Sequence, residues 1–380
     1  MSDEGRGATT AGLIRCNQCS HEVPRLEYCV RCGDPLSDEY NVESLKERKG
    51  RFAAAPDESA RTVALISTLF PQLPRAETRA FRLSLIIGVA IVVGLALLGY
   101  FPVALVAAAV LVPLLMLIYL WVIDIYEDQP LWVLGATITW GAATGIVTGL
   151  VLRNLPGSGF GVGGPSLETI AVSGIVVPLF EGALMLTGAL LMLPLRRFND
   201  VLDGATFGAA AAISFSGAHV IVQSLPILRA GLRPQTDPVQ SAIQLVSLGV
   251  LQPVVAAGAI GAVGAAVWLR YRAPVNDRAA LGVVGIPVMA VLGAAVLLVA
   301  AGLAKATLPL VPQTVVLIVL AAVALVWLRR VIHLGLLQES REIEIGSEIV
   351  CPNCGRPTPS HTFCGKCGVS LSALPRSRGR

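Results

Sequence analysis

Long apolar runs dominate the chain between positions 81 and 330, with short polar stretches between them. Eight can be drawn, over about 81–98, 102–123, 131–152, 167–195, 202–225, 239–269, 280–303 and 308–328. A helix rises about 1.5 Å per residue, so about 20 apolar residues match the hydrocarbon core of a bilayer. The pattern predicts an all-α polytopic membrane protein with about eight transmembrane helices. Small residues recur at helical spacing in GAATGIVTG (Gly141, Gly145, Gly149) and again at Gly258, Gly261 and Gly264. Such stripes let helices approach closely in lipid.

Two neighbouring runs each carry one ionisable group, Glu181 in AVSGIVVPLFEGALMLTGALLMLPL and His219 in DGATFGAAAAISFSGAHVIVQ. The turn between them holds Arg196 and Arg197, which belong at the membrane surface. Counting back from that surface along one helix puts Glu181 about 22 Å deep, and counting forward from Asp203 puts His219 about 24 Å deep. Counting from Arg270 puts Gln252 about 27 Å deep on a third run. An acid, an imidazole and an amide therefore share one level of the bundle. Ionisable groups at such depth are costly and mark a candidate site.

Charge sets the expected orientation. One set of loops receives Arg75, Arg79, Arg82, Arg196, Arg197, Arg270, Arg272, Arg278, Arg329 and Arg330, and the other only Arg153, Arg229, Arg233 and Lys305. The richer side is expected to be cytoplasmic, and an even number of spans puts both termini there, on the cytoplasmic face of an inner (cytoplasmic) membrane. Hydrophobic residues at 54% against 14% charged exclude an ordinary soluble domain. A net charge of +4 is too small to point to nucleic acid. The polar first twenty residues have no apolar core before a cleavage site, so no removable signal peptide is expected.

The eight cysteines fall at the two ends. Cys16, Cys19, Cys29 and Cys32 read CxxC, nine residues, CxxC, and Cys351, Cys354, Cys364 and Cys367 repeat the spacing. The repeat extends to Ile14 and Ile349, Pro24 and Pro359, Tyr28 and Phe363, Gly33 and Gly368, and Leu36 and Leu371, so one small module occurs twice. Two CxxC turns offer four soft ligands, the set that suits a tetrahedral structural zinc with no open position. Two structural Zn²⁺ ions are expected, one per module, and metal binding would supply the folding energy that so small a unit lacks. Disulfides or redox-active CxxC pairs are the alternatives; the duplicated four-ligand set and a cytosolic location favour zinc. Both modules resemble the zinc ribbons found at the termini of many bacterial membrane proteins.

The expected division is a ribbon over 1–36, a linker and interfacial segment over 37–80, the membrane domain over 81–330, a linker over 331–348 and a second ribbon over 349–374. Within the first linker, Val63, Leu65, Ile66, Leu69 and Phe70 form an apolar patch flanked by arginines. It fits a helix lying on anionic lipid or one packed on the ribbon. Beyond the last span, Ile343, Ile345 and Ile349 alternate with charge, the pattern of a short strand pair.

Between 81 and 328 the chain resembles the PrsW family of intramembrane proteases, relatives of the CAAX-type prenyl endopeptidases. The resemblance is carried by Asp124, Glu127, Asp128 and Pro130 in IDIYEDQP, by Asp203 and Gly204 opening a helix, and by Gly208 and Phe215 within it. The family's catalytic positions are substituted. Its paired glutamates reduce to Glu181 between Phe180 and Gly182, and the lysine of that motif falls on Leu184 or Met185. His219 replaces the glutamate of its FxxxE motif, and Gln252 takes the place of a histidine, with Ala256 at a usual threonine. The resemblance implies a pseudoprotease with the pocket residues Glu181, His219 and Gln252, acting as a binding or regulatory protein whose ribbons dock a protein partner. A working protease with Glu181 as base and His219 as its partner is one alternative. A channel or transporter is another, with Pro178 and Pro253 as helix breaks.

Overall fold

The structure is a computed structural model that describes residues 12–17, 21–36, 68–69, 79–127, 131–153, 166–195, 198, 200–231, 237–272, 286–342, 345–352, 354–368 and 371. The fold is mostly helical, with a small two-stranded hairpin near each end. We label the hairpin strands β1 (Leu13–Arg15), β2 (Glu22–Pro24), β3 (Glu348–Val350) and β4 (Pro357–Pro359). The helices are α1 (Arg79–Leu97), α2 (Phe101–Glu127), α3 (Leu131–Arg153), α4 (Leu167–Leu190), α5 (Val201–Ala230), α6 (Pro238–Tyr271), α7 (Pro287–Thr307) and α8 (Leu310–Glu342).

Among these, α2 to α8 are long and apolar enough to cross a membrane. Helix α1 falls just short by that measure, its apolar part running over Phe81–Leu97. The expected eight runs are thus eight helices; α2, α5 and α8 run past their expected C-terminal ends, whereas α4 stops at Leu190, short of the expected end at position 195. Helix α8 reaches Glu342, well past the expected end at Leu328. Of the strand pair expected at Ile343, Ile345 and Ile349, Ile343 lies outside the described residues, Ile345 precedes the strand, and Ile349 falls in β3, which pairs with β4 within the second ribbon.

Helix α5 is the centre of the bundle. It packs against α2, α3, α4 and α6, and its Val201–Arg229 stretch is 94% buried, against 44% or less for α2, α3, α4, α7 and α8. Small residues make this possible. The stripe Gly141, Gly145 and Gly149 on α3 lies against α5, where a Cβ on Gly145 would run into the carbonyl of Phe215. On the opposite side, Gly204 and Gly264 face each other so closely that a Cβ on either would meet the other's carbonyl oxygen. In lipid, where burial of apolar area gives little drive between helices, such close packing is what holds the bundle together. At the base of α5, Phe207 stacks edge-on against Phe198 with ring centres 5.1 Å apart and lies tilted against the fully buried Trp268.

The turn after α4 is tied to the end of α6 by Arg272, whose Nε and Nη2 both donate to the Leu193 carbonyl. The apolar patch at 63–70 is described only at Thr68 and Leu69. Both are buried, and Leu69 joins the main core with Phe81 and Phe198, so at these positions the chain packs on the bundle.

Helices α4 and α6 share one local irregularity. In each, a five-residue stretch, Val172–Val176 and Ser247–Leu251, is wound as a wider turn in which Val177 N–H donates to Val172 and Gln252 N–H to Ser247, five residues back. Each stretch carries a glycine four residues before a proline, Gly174 before Pro178 and Gly249 before Pro253. Proline lacks an N–H, and its ring collides with the carbonyl four residues back, so a wider turn is the local solution that keeps the helix continuous. The two prolines expected to break their helices instead widen them.

Candidate metal centres and a buried acid–imidazole pair

Each ribbon places its first cysteine at the end of a hairpin strand, Cys16 after β1 and Cys351 after β3. Strands β1 and β2 pair antiparallel with Leu13 opposite Pro24 and Arg15 opposite Glu22; β3 and β4 repeat the register with Glu348 opposite Pro359 and Val350 opposite Pro357. Cys16 N–H donates to the His21 carbonyl as Cys351 N–H does to that of Arg356. The second knuckle ends on a glycine at positive φ, Gly33 at 74° and Gly368 at 67°, where only a residue without Cβ turns back at no steric cost. Gly33 N–H closes that turn on the Cys29 carbonyl, and Gly368 N–H on that of Cys364.

The turns converge the sulfurs. Cys351, Cys354, Cys364 and Cys367 gather with their Sγ atoms within 4.8 Å of one another, and Cys16, Cys29 and Cys32 do the same. Cys19 lies outside the described residues. The separations are 3.6 Å for Cys16–Cys32, 3.8 Å for Cys351–Cys367 and 3.9 Å for Cys354–Cys364. Four sulfurs at about 2.3 Å from a zinc ion stand about 3.8 Å apart at the corners of a tetrahedron, so the donor set fits such an ion. None of the seven described cysteines forms a disulfide. Cys364 is pushed down to about 4, chiefly by the side-chain hydrogen bond from Cys367, against the opposing effect of burial; the Lys366 N–H, 3.4 Å from its sulfur, acts in the same direction. Thiolate is the form a metal takes.

The two ribbons pack on each other. Tyr28 N–H donates to the Gly365 carbonyl at 2.9 Å, and Phe363 N–H donates to the Val30 carbonyl at 2.9 Å. The ribbon repeat equates Tyr28 with Phe363 and Val30 with Gly365, so one bond is the image of the other about a local two-fold axis. Around them, Leu26 covers Gly365, Phe363 covers Gly33, and His361 Nδ1 lies 2.9 Å from the Val30 carbonyl. Glu27 faces Arg356 and Lys366, each at 3.9 Å. Ile345, just past α8, packs into the apolar cluster of the first ribbon.

Within the helical bundle the structure brings Glu181 and His219 together. The Glu181 carboxylate lies 3.5 Å from His219 Nδ1, and the two side chains are 14% and 10% exposed. The imidazole stacks on Phe215 one turn earlier, ring centres 6.0 Å apart. Its Nδ1 is buried and reaches Glu181 without hydrogen-bond geometry, whereas Nε2 lies 3.4 Å from the amide of Gln223, which is exposed one turn further on. Lys305 near the end of α7 lies within electrostatic reach of both groups.

One turn from each pocket candidate lies a residue of a single buried cluster: Met185 below Glu181, Phe215 below His219 and Ala256 below Gln252. Gln252 thus shares the level of the pair, half-buried, immediately after the wide turn of α6. Asp203 and Gly204 have structural roles: the Asp203 carboxylate accepts from Asp200 N–H at the start of α5, and Gly204 admits α6. Asp124 and Glu127 lie on the last turns of α2, while Asp128 and Pro130 lie outside the described residues.

Gln223 and Lys305 escaped the sequence reading. Gln223 follows His219 by four residues, a spacing that would have found it; nothing in the sequence ties Lys305 to α4. Among the described residues, the groups of three or more His, Cys, Asp and Glu side chains able to hold a metal ion are the two cysteine clusters, and the Glu181–His219 pair is not part of one.

The fold and these sites define a multi-helix protein of membrane-crossing character, with a cysteine cluster able to hold a metal ion at each end. Comparison with protein-family models, with curated proteins and with solved structures finds no match.

Proposed function

We propose that this is an inner-membrane protein of PrsW-like descent that binds or regulates a protein partner without cleaving it, and that its two zinc ribbons form one cytoplasmic head. The observation that carries the reading is the composition of the buried site. Hydrolysis in a membrane needs a water activated by a base together with a second acid or a three-ligand metal. Here one carboxylate faces one imidazole, with an amide and a lysine around them. That set suits a polar clasp between α4 and α5. Contact between the ribbons supports placing both termini on one face, since two domains that touch cannot lie on opposite sides of a bilayer, and the arginine-rich loops favour the cytoplasmic face. An even number of crossings then requires α1 to span as well.

Co-expression with single-span membrane proteins tests the reading. No fragment from any of them is expected; a fragment that disappears with Glu181→Gln would establish a working protease instead. A solute path is the second reading, favoured by the wide turns just before Pro178 and at Gln252, one turn from Glu181 and beside the amide. Proton-coupled uptake into proteoliposomes that depends on Glu181 would support it.

A further inference from the structure

We infer that the two metal sites are coupled: filling either cysteine cluster raises the metal affinity of the other. The inference rests on the zinc reading of the ribbons and concerns the bonds between them. Both inter-ribbon hydrogen bonds are made by the residues that flank a ligand. Tyr28 and Val30 stand on either side of Cys29, and Phe363 and Gly365 on either side of Cys364. A metal that fixes Cys29 therefore also fixes the N–H and the carbonyl that this ribbon presents to its neighbour, and Cys364 does the same in return.

Within its own ribbon each edge is held by loop hydrogen bonds: Cys29 N–H donates to the Asp34 carbonyl and Leu36 N–H to that of Glu27 in the first, Leu371 N–H to the Thr362 carbonyl and Gly365 N–H to Thr358 Oγ1 in the second. Among the described residues, the buried cluster of the second ribbon is Cys351, Cys364 and Cys367 with the half-buried Cys354 and Leu371 against it, and that of the first is Cys16, Cys29 and Cys32 with Val23 and Val30, flanked by Ile14, Leu26, Leu36 and Ile345. With the metal removed, each loses most of its buried centre, because thiolates are gathered by the ion and not by their own packing. A ribbon ordered by its own ion presents a fixed docking edge, so its neighbour loses less conformational freedom on closing around the second ion. Positive coupling follows without any direct contact between the ions. Linkage requires the effect to be equal in both directions.

The test uses the full chain in detergent micelles under reducing conditions, stripped of metal by a chelator. Co²⁺ is titrated while thiolate-to-metal absorption is followed, and Zn²⁺ affinities are then set by competition with a chromophoric chelator. Cys351→Ser with Cys354→Ser removes the second site. The first site is expected to bind at least tenfold more weakly than in the unaltered chain, and Cys16→Ser with Cys29→Ser should weaken the second site by the same factor. Phe363→Ala keeps all eight cysteines and removes the ring that covers Gly33; it should still take two ions, with most of the coupling lost. First-site affinity within twofold of the unaltered chain in the two-cysteine variant overturns the coupling while leaving the zinc reading intact. Fewer than two ions per unaltered chain overturns both.

Discussion

Replacing His219 with alanine tests the clasp directly. The substitution removes an imidazole side chain that is 10% exposed, stacked on Phe215 and 3.5 Å from Glu181. Two costs add. A large-to-small change at a buried site leaves a cavity, worth about 2–4 kcal/mol in tightly packed cores. The acid also loses its neighbour: stranding one member of a buried pair costs about 3–5 kcal/mol in soluble cores, but polar contacts between membrane helices average about 0.6 kcal/mol and reach about 1.7. Glu181 keeps Lys305 within reach, which favours the smaller figure for this second cost. His219→Ala is therefore expected to destabilise the bundle by about 3–5 kcal/mol in total, and Glu181→Gln by about 1 kcal/mol or less, because the carboxylate makes no hydrogen bond to the ring that an amide of the same shape would lose. Gln252→Ala, at a half-buried site, should cost less than His219→Ala. Unfolding in mixed micelles, followed by tryptophan fluorescence, gives the single values, and a cycle with His219→Ala and Glu181→Leu isolates the pair. A coupling energy of zero, or a His219→Ala cost no greater than that of Gln252→Ala, would refute the clasp.

Purified protein under reducing conditions should carry two zinc ions per chain, by elemental analysis, and release them together with eight titratable thiols; four disulfides would refute this. Membrane-impermeant maleimide, applied to metal-stripped single-cysteine variants retaining Cys16 or Cys367, should label both from one face of sealed vesicles. Gly264→Ala puts a Cβ against the Gly204 carbonyl and should destabilise by about 1–3 kcal/mol in the same unfolding assay, whereas Gly94→Ala meets no atom within 4 Å and should be neutral or slightly stabilising.

Much of this protein was legible along the chain because its strongest signals are local. Apolar length alone locates the spans, since a bilayer fixes how many residues are needed. The cysteine clusters follow from CxxC spacing, because two thiols on one turn face one point whatever surrounds them. Even the shared level of Glu181 and His219 came from counting, as the rise per residue is constant and the joining turn is short, whereas their contact is seen only in the folded bundle. What required the tertiary structure depends on surfaces that no local pattern encodes. The extension of α8 to Glu342 came from charged residues that continue the helix where hydropathy alone had ended the span. The wide turns of α4 and α6 depend on how a missing N–H is accommodated against neighbouring helices, although the shared glycine–proline spacing was visible. The arrival of Lys305 at the acid depends on how α7 packs against α4, which composition does not determine. The pairing of the ribbons is the furthest from the sequence. It joins residues more than 300 positions apart through backbone N–H and carbonyl groups, which every residue type but proline carries alike, and only the folded chain places those groups opposite one another.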